Sequence, residues 1–251
     1  MPLPEVTPLI VSIAVLAYTM AGIAKGLAGL GLQAIAVPLL ALVVSLEIAI
    51  GLSILPAFVT SIWQGLGGGA LRTVVQRTWT FIVPCCLAIF VGAHLLARID
   101  QSILTGVLGV LLCGYAAYAL TRPRLPRLER HETWLSPIVG TITGVAGGAT
   151  GSFVMPGAPY LQLLNLSRDE LVQAVSLMAL VFTPTLALAL GRNDLFGGAL
   201  QLTSLALLIP TMFGLALGTM LRRWIPEARF KTVFFWALLV LGVIRNLAGP
   251  S

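Results

Sequence analysis

Residues 22–38 read GIAKGLAGLGLQAIAVP, and residues 140–156 read GTITGVAGGATGSFVMP. Each stretch sets several glycines in the middle of an apolar region. Glycine costs a helix about 1 kcal/mol relative to alanine, so a plain lipid-facing helix is poorly built this way. Two uses fit. Gly22–Gly26 and Gly140–Gly144 have the GxxxG spacing that lets helices approach closely. The inner glycines fit a helix that breaks inside the membrane, where the next helix starts with backbone N–H groups that lack partners. Such a start favours an anion. The outer glycines of each pair are assigned to packing, the break regions to binding.

The rest of the chain fixes the setting. Of 251 residues, 58% are hydrophobic and 10% charged, against about 25% charged in a soluble domain. Lipid is the solvent that makes this composition sensible. Ten apolar segments can be read, at about 8–26, 31–45, 47–66, 78–97, 101–120, 134–149, 151–165, 169–190, 197–221 and 227–248. The second segment of each half is short and carries a proline, Pro38 or Pro156. Either spans or half-helices that re-enter are compatible with them. The polar stretch 121–133, TRPRLPRLERHET, reads as a surface linker between a first membrane repeat (1–120) and a second (134–251).

The halves resemble each other. At an offset of 118, Gly22, Gly26, Ala28, Gly29 and Pro38 fall on Gly140, Gly144, Ala146, Gly147 and Pro156. After a five-residue slip, Glu47, Ser53 and Thr60 fall on Glu170, Ser176 and Thr183. At an offset of 126, Pro84 and Gly92 fall on Pro210 and Gly218. Five segments per half is an odd number, so the second half enters from the opposite side. The expected fold is therefore an all-α integral membrane protein with about 8–10 transmembrane or re-entrant helices in two inverted-topology repeats.

Positive charge sets the orientation. Arg72, Arg77, Arg122, Arg124, Arg127, Arg130, Arg168, Arg222, Arg223, Arg229 and Lys231 fall on one side, and Arg98, Arg192 and Arg245 on the other. The arginine-rich side, with linker 121–133, is expected to be cytoplasmic and both termini outside. The opening MPLPEVTPLI lacks a basic n-region, so the first apolar run is expected to stay as a membrane segment of the cell (inner) membrane.

Lys25, the remaining basic residue, lies inside the apolar pattern. A lysine at a helix centre in lipid costs about 2.5–3.5 kcal/mol, and pairing with an anionic solute is one purpose. Snorkelling to a nearby surface is the other reading. The proposed substrate-binding set is Lys25, Gly29, Gly31, Gln33, Thr60 and Gln64 from the first half. Gly147, Gly148, Thr150, Gly151 and Gln173 complete it from the second. The glutamines are chosen because a long amide in lipid needs a partner. Ser167 and Glu170 form a capping-box pattern, and Ser45 with Glu47 can do similar work. His94 reads as a packed histidine within an apolar run.

Several classes are excluded or disfavoured. Basic residues form no stripe with interleaved aromatics, so no nucleic-acid partner is expected. Cys85, Cys86 and Cys113 have no zinc-site spacing, and no metal or cofactor is expected. No P-loop is present, and no catalytic residues are assigned.

At these residues the chain resembles the sulfite exporter TauE/SafE family of membrane permeases. The resemblance rests on Lys25-Gly26-Leu27-Ala28-Gly29-Leu30-Gly31 with Pro38-Leu39-Leu40, and on Leu55-Pro56, Thr60 and Trp63-Gln64. The second half contributes Gly147-Gly148-Ala149-Thr150-Gly151, Pro156, Tyr160-Leu161-Gln162 and Arg168-Asp169-Glu170-Leu171-Val172-Gln173. It implies transport of a small sulfur-containing or organic anion, usually as export. Export is also downhill: each negative charge moved outward gains about 2.3 kcal/mol per 100 mV. A small anion and membrane lipid are the expected partners, and a homodimer is left open. A membrane-embedded enzyme or a non-transporting subunit are the alternative readings.

Overall fold

The computed structural model describes residues 8–29, 32–67, 69–121, 132–193 and 198–221. Ten helices occupy them, with no strand. They are α1 (Pro8–Ala28), α2 (Leu32–Leu40), α3 (Leu46–Leu66), α4 (Leu71–Leu96), α5 (Gln101–Thr121), α6 (Glu132–Thr150), α7 (Val154–Leu163), α8 (Arg168–Gly191), α9 (Gly198–Ala206) and α10 (Leu208–Leu221). Five stretches are long and apolar enough to cross a membrane: Pro8–Leu27, Leu46–Leu66, Leu71–Leu96, Asp169–Gly191 and Leu200–Leu221. The expected segment 227–248 and linker residues 122–131 lie outside the described residues.

The short second segments are short helices. α2 has 9 residues and α7 has 10. At 1.5 Å per residue each rises only about 15 Å, half the hydrocarbon thickness. Three sequence expectations need correction. α4 begins at Leu71, not 78, because Arg72, Thr73 and Gln76 continue the helix beyond its apolar part. The segment 197–221 divides at Leu207 into α9 and α10, where Pro210 has no N–H to return to Ala206. His94 is exposed in the last turn of α4 and not packed.

α3 and α8 form the centre: 72% and 61% of their most apolar windows are buried, against 33–44% for the spans of α1, α4 and the α9–α10 pair. The outer helices show lipid the faces they do not need. Val75, Trp79, Val83, Leu87 and Val91, spaced four apart on α4, are all exposed. The opposite face, with Phe81, Cys85, Ile89 and Leu96, is buried. Ser45 and Ser167 start the central helices: each hydroxyl accepts the N–H three residues on, from Ile48 and Glu170. Glu170 returns its carboxylate to the Ser167 N–H at 2.8 Å, completing the capping box. Glu47 makes no such return bond in the cap of α3. At the exposed turn before α5, the N–H of Ser102 donates to Asp100 at 2.8 Å and holds that carboxyl below its usual range. Pro56 in α3 leaves the Leu52 carbonyl without its helical donor, and the Ser204 hydroxyl of α9 donates to it at 2.7 Å.

Glycine faces join the halves. α1 lies on α10, and α6 on α4, at backbone-to-backbone distance. A methyl at Gly22 would sit 2.4 Å from Thr211 O, and at Gly26 2.5 Å from Leu215 O. At Gly144 it would sit 2.1 Å from Cys85 O, and at Gly148 2.3 Å from Ile89 O. Going from Gly22 to Gly144, or Gly26 to Gly148, is a step of 122; going from Cys85 to Thr211, or Ile89 to Leu215, is a step of 126. The same contact thus occurs twice, with the partners exchanged. The sequence offset of 118 is one helical turn out for α1 and α6. Gly140, Gly144 and Gly148 recur every four residues, so an alignment slipped by a turn looks equally good.

Replacing Gly144 with Val is expected to destabilise the α4–α6 pair by about 1–3 kcal/mol through overpacking. Gly106→Ala, where nothing lies within 4 Å, should be neutral or slightly stabilising. Thermal unfolding of both variants in detergent checks this; equal midpoints would rule out the close contact.

Candidate functional site

Both α1 and α6 end at a glycine with positive φ. Gly29 has φ 74° and Gly151 has φ 73°. Each amide closes the last helical turn, Gly29 N–H on Lys25 O at 2.8 Å and Gly151 N–H on Gly147 O at 2.7 Å. A left-handed backbone costs an ordinary L-residue roughly 1–2 kcal/mol. A side chain would also strike Val172 of α8 at Gly29 and Ile50 of α3 at Gly151. The pair is again separated by 122, as are the caps Ser45 and Ser167. The sequence comparison matched Gly29 to Gly147 and Glu47 to Glu170, four residues and one residue away from these geometric equivalents.

Lys25 sits one turn before the first break and is buried, with 3% of its surface exposed. Its Nζ donates to Thr60 Oγ1 at 2.9 Å, Ser61 Oγ at 2.7 Å and Ala57 O at 3.4 Å. Both hydroxyl protons are already committed to α3: Thr60 to Pro56 O and Ser61 to Ala57 O, each at 2.6 Å. Only their lone pairs face Lys25, so three acceptors surround Nζ, the arrangement of an ammonium. All three are neutral. The ion pair found among the described residues, Arg77–Glu132, does not involve Lys25. Lys25 therefore does not snorkel out to the surface; its amine stays inside the protein.

A small pocket lies beside it. Lys25 and Gly29 line it from α1 and its break, Leu32, Gln33 and Ala34 from the start of α2, and Ala57 from α3. Phe153 and Val154 come from the second break, and Val175 and Ala179 from α8. Both interrupted helices therefore contribute. The volume is about 20 Å³, room for a water-sized molecule. Gln33 is 4% exposed, and neither its amide nitrogen nor its carbonyl oxygen has a partner among the described residues.

The proposed site residues divide. Lys25, Gly29 and Gln33 line the pocket, and Thr60 holds Lys25. Gln64 stands one step back, donating to Lys25 O at 3.1 Å and accepting from Ser176 at 3.4 Å. Gln173 lies at the end of α3, donating to Gly65 O at 3.0 Å and accepting from Ala70 N–H at 3.2 Å. Gly147 faces Phe182 and Gly148 faces Ile89 of α4, so both glycines serve packing. Thr150 returns its hydroxyl to Ala146 O, as a threonine in a helix commonly does. Gly151 makes the turn without lining the pocket. Gly31 lies outside the described residues. Ser61, which the sequence also offers among the polar groups around Lys25 but outside the proposed set, is a second acceptor for it. The apolar wall residues Phe153, Val154, Val175 and Ala179 had no chemical mark at all.

A family model described as Sulfite exporter TauE/SafE matches residues 14–244, nearly the whole chain. No curated protein and no solved structure matches it.

Removing both hydroxyl acceptors, as in Thr60→Val with Ser61→Ala, strands a buried cation and is expected to cost about 3–5 kcal/mol. Adding Lys25→Met to that pair should recover most of the loss. A double-mutant cycle on thermal stability in detergent measures the coupling; a coupling near zero would show that the ammonium does not rest on these oxygens.

Proposed function

This chain belongs to the sulfite exporter TauE/SafE family, and from that premise we propose that it exports a small sulfur-containing or organic anion of the sulfite or sulfonate type. Membership makes it a membrane transporter; substrate, direction and site are our reading. The carrying observation is a buried ammonium, Lys25, held by neutral oxygens beside a pocket to which both glycine breaks contribute. A cation without a carboxylate partner, in lipid, is most simply explained by a solute that brings the counter-charge.

The start of α2 supports the same reading, since its first N–H groups lie beside the pocket and lend partial positive charge. The contacts also support an inverted repeat. Gly140, Gly144 and Gly148 meet Phe81, Cys85 and Ile89 in ascending order, so α6 runs with α4. α4 follows α3 after residues 67–70, so the start of α4 lies at the end of α3. The end of α1 lies at the end of α3, where Gln64 reaches Lys25 O. α1 and α6 then run in opposite senses, as two repeats of opposite topology require. The positive-inside count puts the Lys25 end of α1 on the cytoplasmic side, and exposed Trp63, Trp79 and Trp134 on the same half of the molecule suit an interfacial belt. Outward movement of an anion needs no coupling ion under an inside-negative potential.

Purified protein in liposomes, loaded with sulfite or a small sulfonate under an imposed potential, is expected to release the anion and move charge with it. Lys25→Met should cut that flux about tenfold or more, the scale of one lost charged hydrogen bond. Wild-type flux in the variant would remove Lys25 from the site, and no flux of any anion through folded wild-type protein would remove the exporter reading.

A further inference from the structure

Gln33 specifies the substrate more narrowly than charge does. Gln33 is among the residues that line the same pocket as Lys25, and both polar ends of its buried amide lack partners among the described residues. A buried amide left in this state is costly unless something fills the gap. Whatever sits beside it must accept from the NH2 group and donate to the carbonyl oxygen. An oxyanion can accept from almost any donor, but a fully deprotonated one has no hydrogen to give. Lys25 adds the other half of the specification. Its shortest two bonds go to Ser61 and Thr60, while the bond to Ala57 O is long at 3.4 Å. Ala57 lines the pocket, so the ammonium proton on that side is the one an incoming oxygen can take.

We infer that the pocket, which has to widen beyond its present water-sized volume to admit a solute, selects an oxyanion that still carries an O–H or N–H: the anionic oxygen meets Lys25, and the retained hydrogen goes to the Gln33 carbonyl. This rests on the transport reading above and narrows it. Sulfite travels as hydrogensulfite, and amino- or hydroxy-bearing small sulfonates are preferred over their alkyl counterparts. Turning the amide over does not change the requirement, because both ends are unpartnered.

Sulfamate and methanesulfonate make the comparison directly. They have nearly the same size and the same charge, and differ by NH2 in place of CH3. In liposomes at one pH and one potential, wild-type protein is expected to carry sulfamate about tenfold faster, the scale of one buried polar group left unpaired. Gln33→Leu should abolish that preference, with its folding checked separately by thermal unfolding in detergent. Gln33→Asn, a shorter amide, should keep part of it. Equal wild-type rates for the two anions, or a preference that survives Gln33→Leu, would overturn the inference and leave the exporter reading intact. Failure of the wild type to move either anion or sulfite would instead count against that earlier reading, and this one falls with it.

Discussion

Lipid offers nothing to hydrogen-bond a bare backbone, so a helix can be interrupted in a membrane only where protein surrounds the gap. That constraint organises this molecule. The two interruptions, at Gly29 and Gly151, are each pressed against the first turns of a central helix: Gly29 on Val172 of α8, Gly151 on Ile50 of α3. The pairs 29 with 151 and 50 with 172 are both separated by 122 residues. Each half therefore covers the gap made by the other. This explains why α3 and α8 are the most buried spans, and why α1 and α6 need glycine faces. There α10 holds α1, and α4 holds α6, by contacts too close for any side chain.

Much of this was legible in the sequence because glycine and proline report backbone geometry. The composition implied a membrane protein, and the two glycine-rich stretches marked where helices stop. Register was harder. Gly140, Gly144 and Gly148 give α6 a four-residue period, so a slip by one turn leaves the pattern intact. The serine caps resolve it, since Ser45 and Ser167 each mark one defined helix start. Boundaries failed where polarity and helicity part company: Arg72 and Gln76 are polar but good helix formers, and α4 runs through them. Around the pocket, Lys25, Gln33 and Thr60 stood out as expensive polar groups in lipid. Gly148 and Thr150 do not line it; glycine packing and a hydroxyl-to-backbone bond satisfy them locally. The apolar wall was invisible, since a valine facing a pocket and one facing lipid read alike.

The two halves are alike in backbone and unlike in charge. In the alignment set by the breaks, Lys25 corresponds to Gly147 and Thr60 to Phe182. Where Lys25 reaches Thr60, a side chain at Gly147 would strike Phe182, only 2.6 Å from its ring. One slot holds an ammonium and its oxygen; the other is filled with an aromatic ring. Among the described residues the glycine contacts recur, but Lys25 has no counterpart at the matching position. Its partners matter as much as its presence. A carboxylate beside Lys25 would neutralise it, and an arriving anion would have to displace that acid and leave it buried and unpaired, a heavy cost. Hydroxyls and a carbonyl hold the ammonium in place and leave its charge unspent. Because Thr60 and Ser61 direct their own protons into α3, they offer Lys25 lone pairs alone. On the transport reading proposed above, an anion would therefore meet the Lys25 amine, whose contact to Ala57 O is the longest of its three at 3.4 Å.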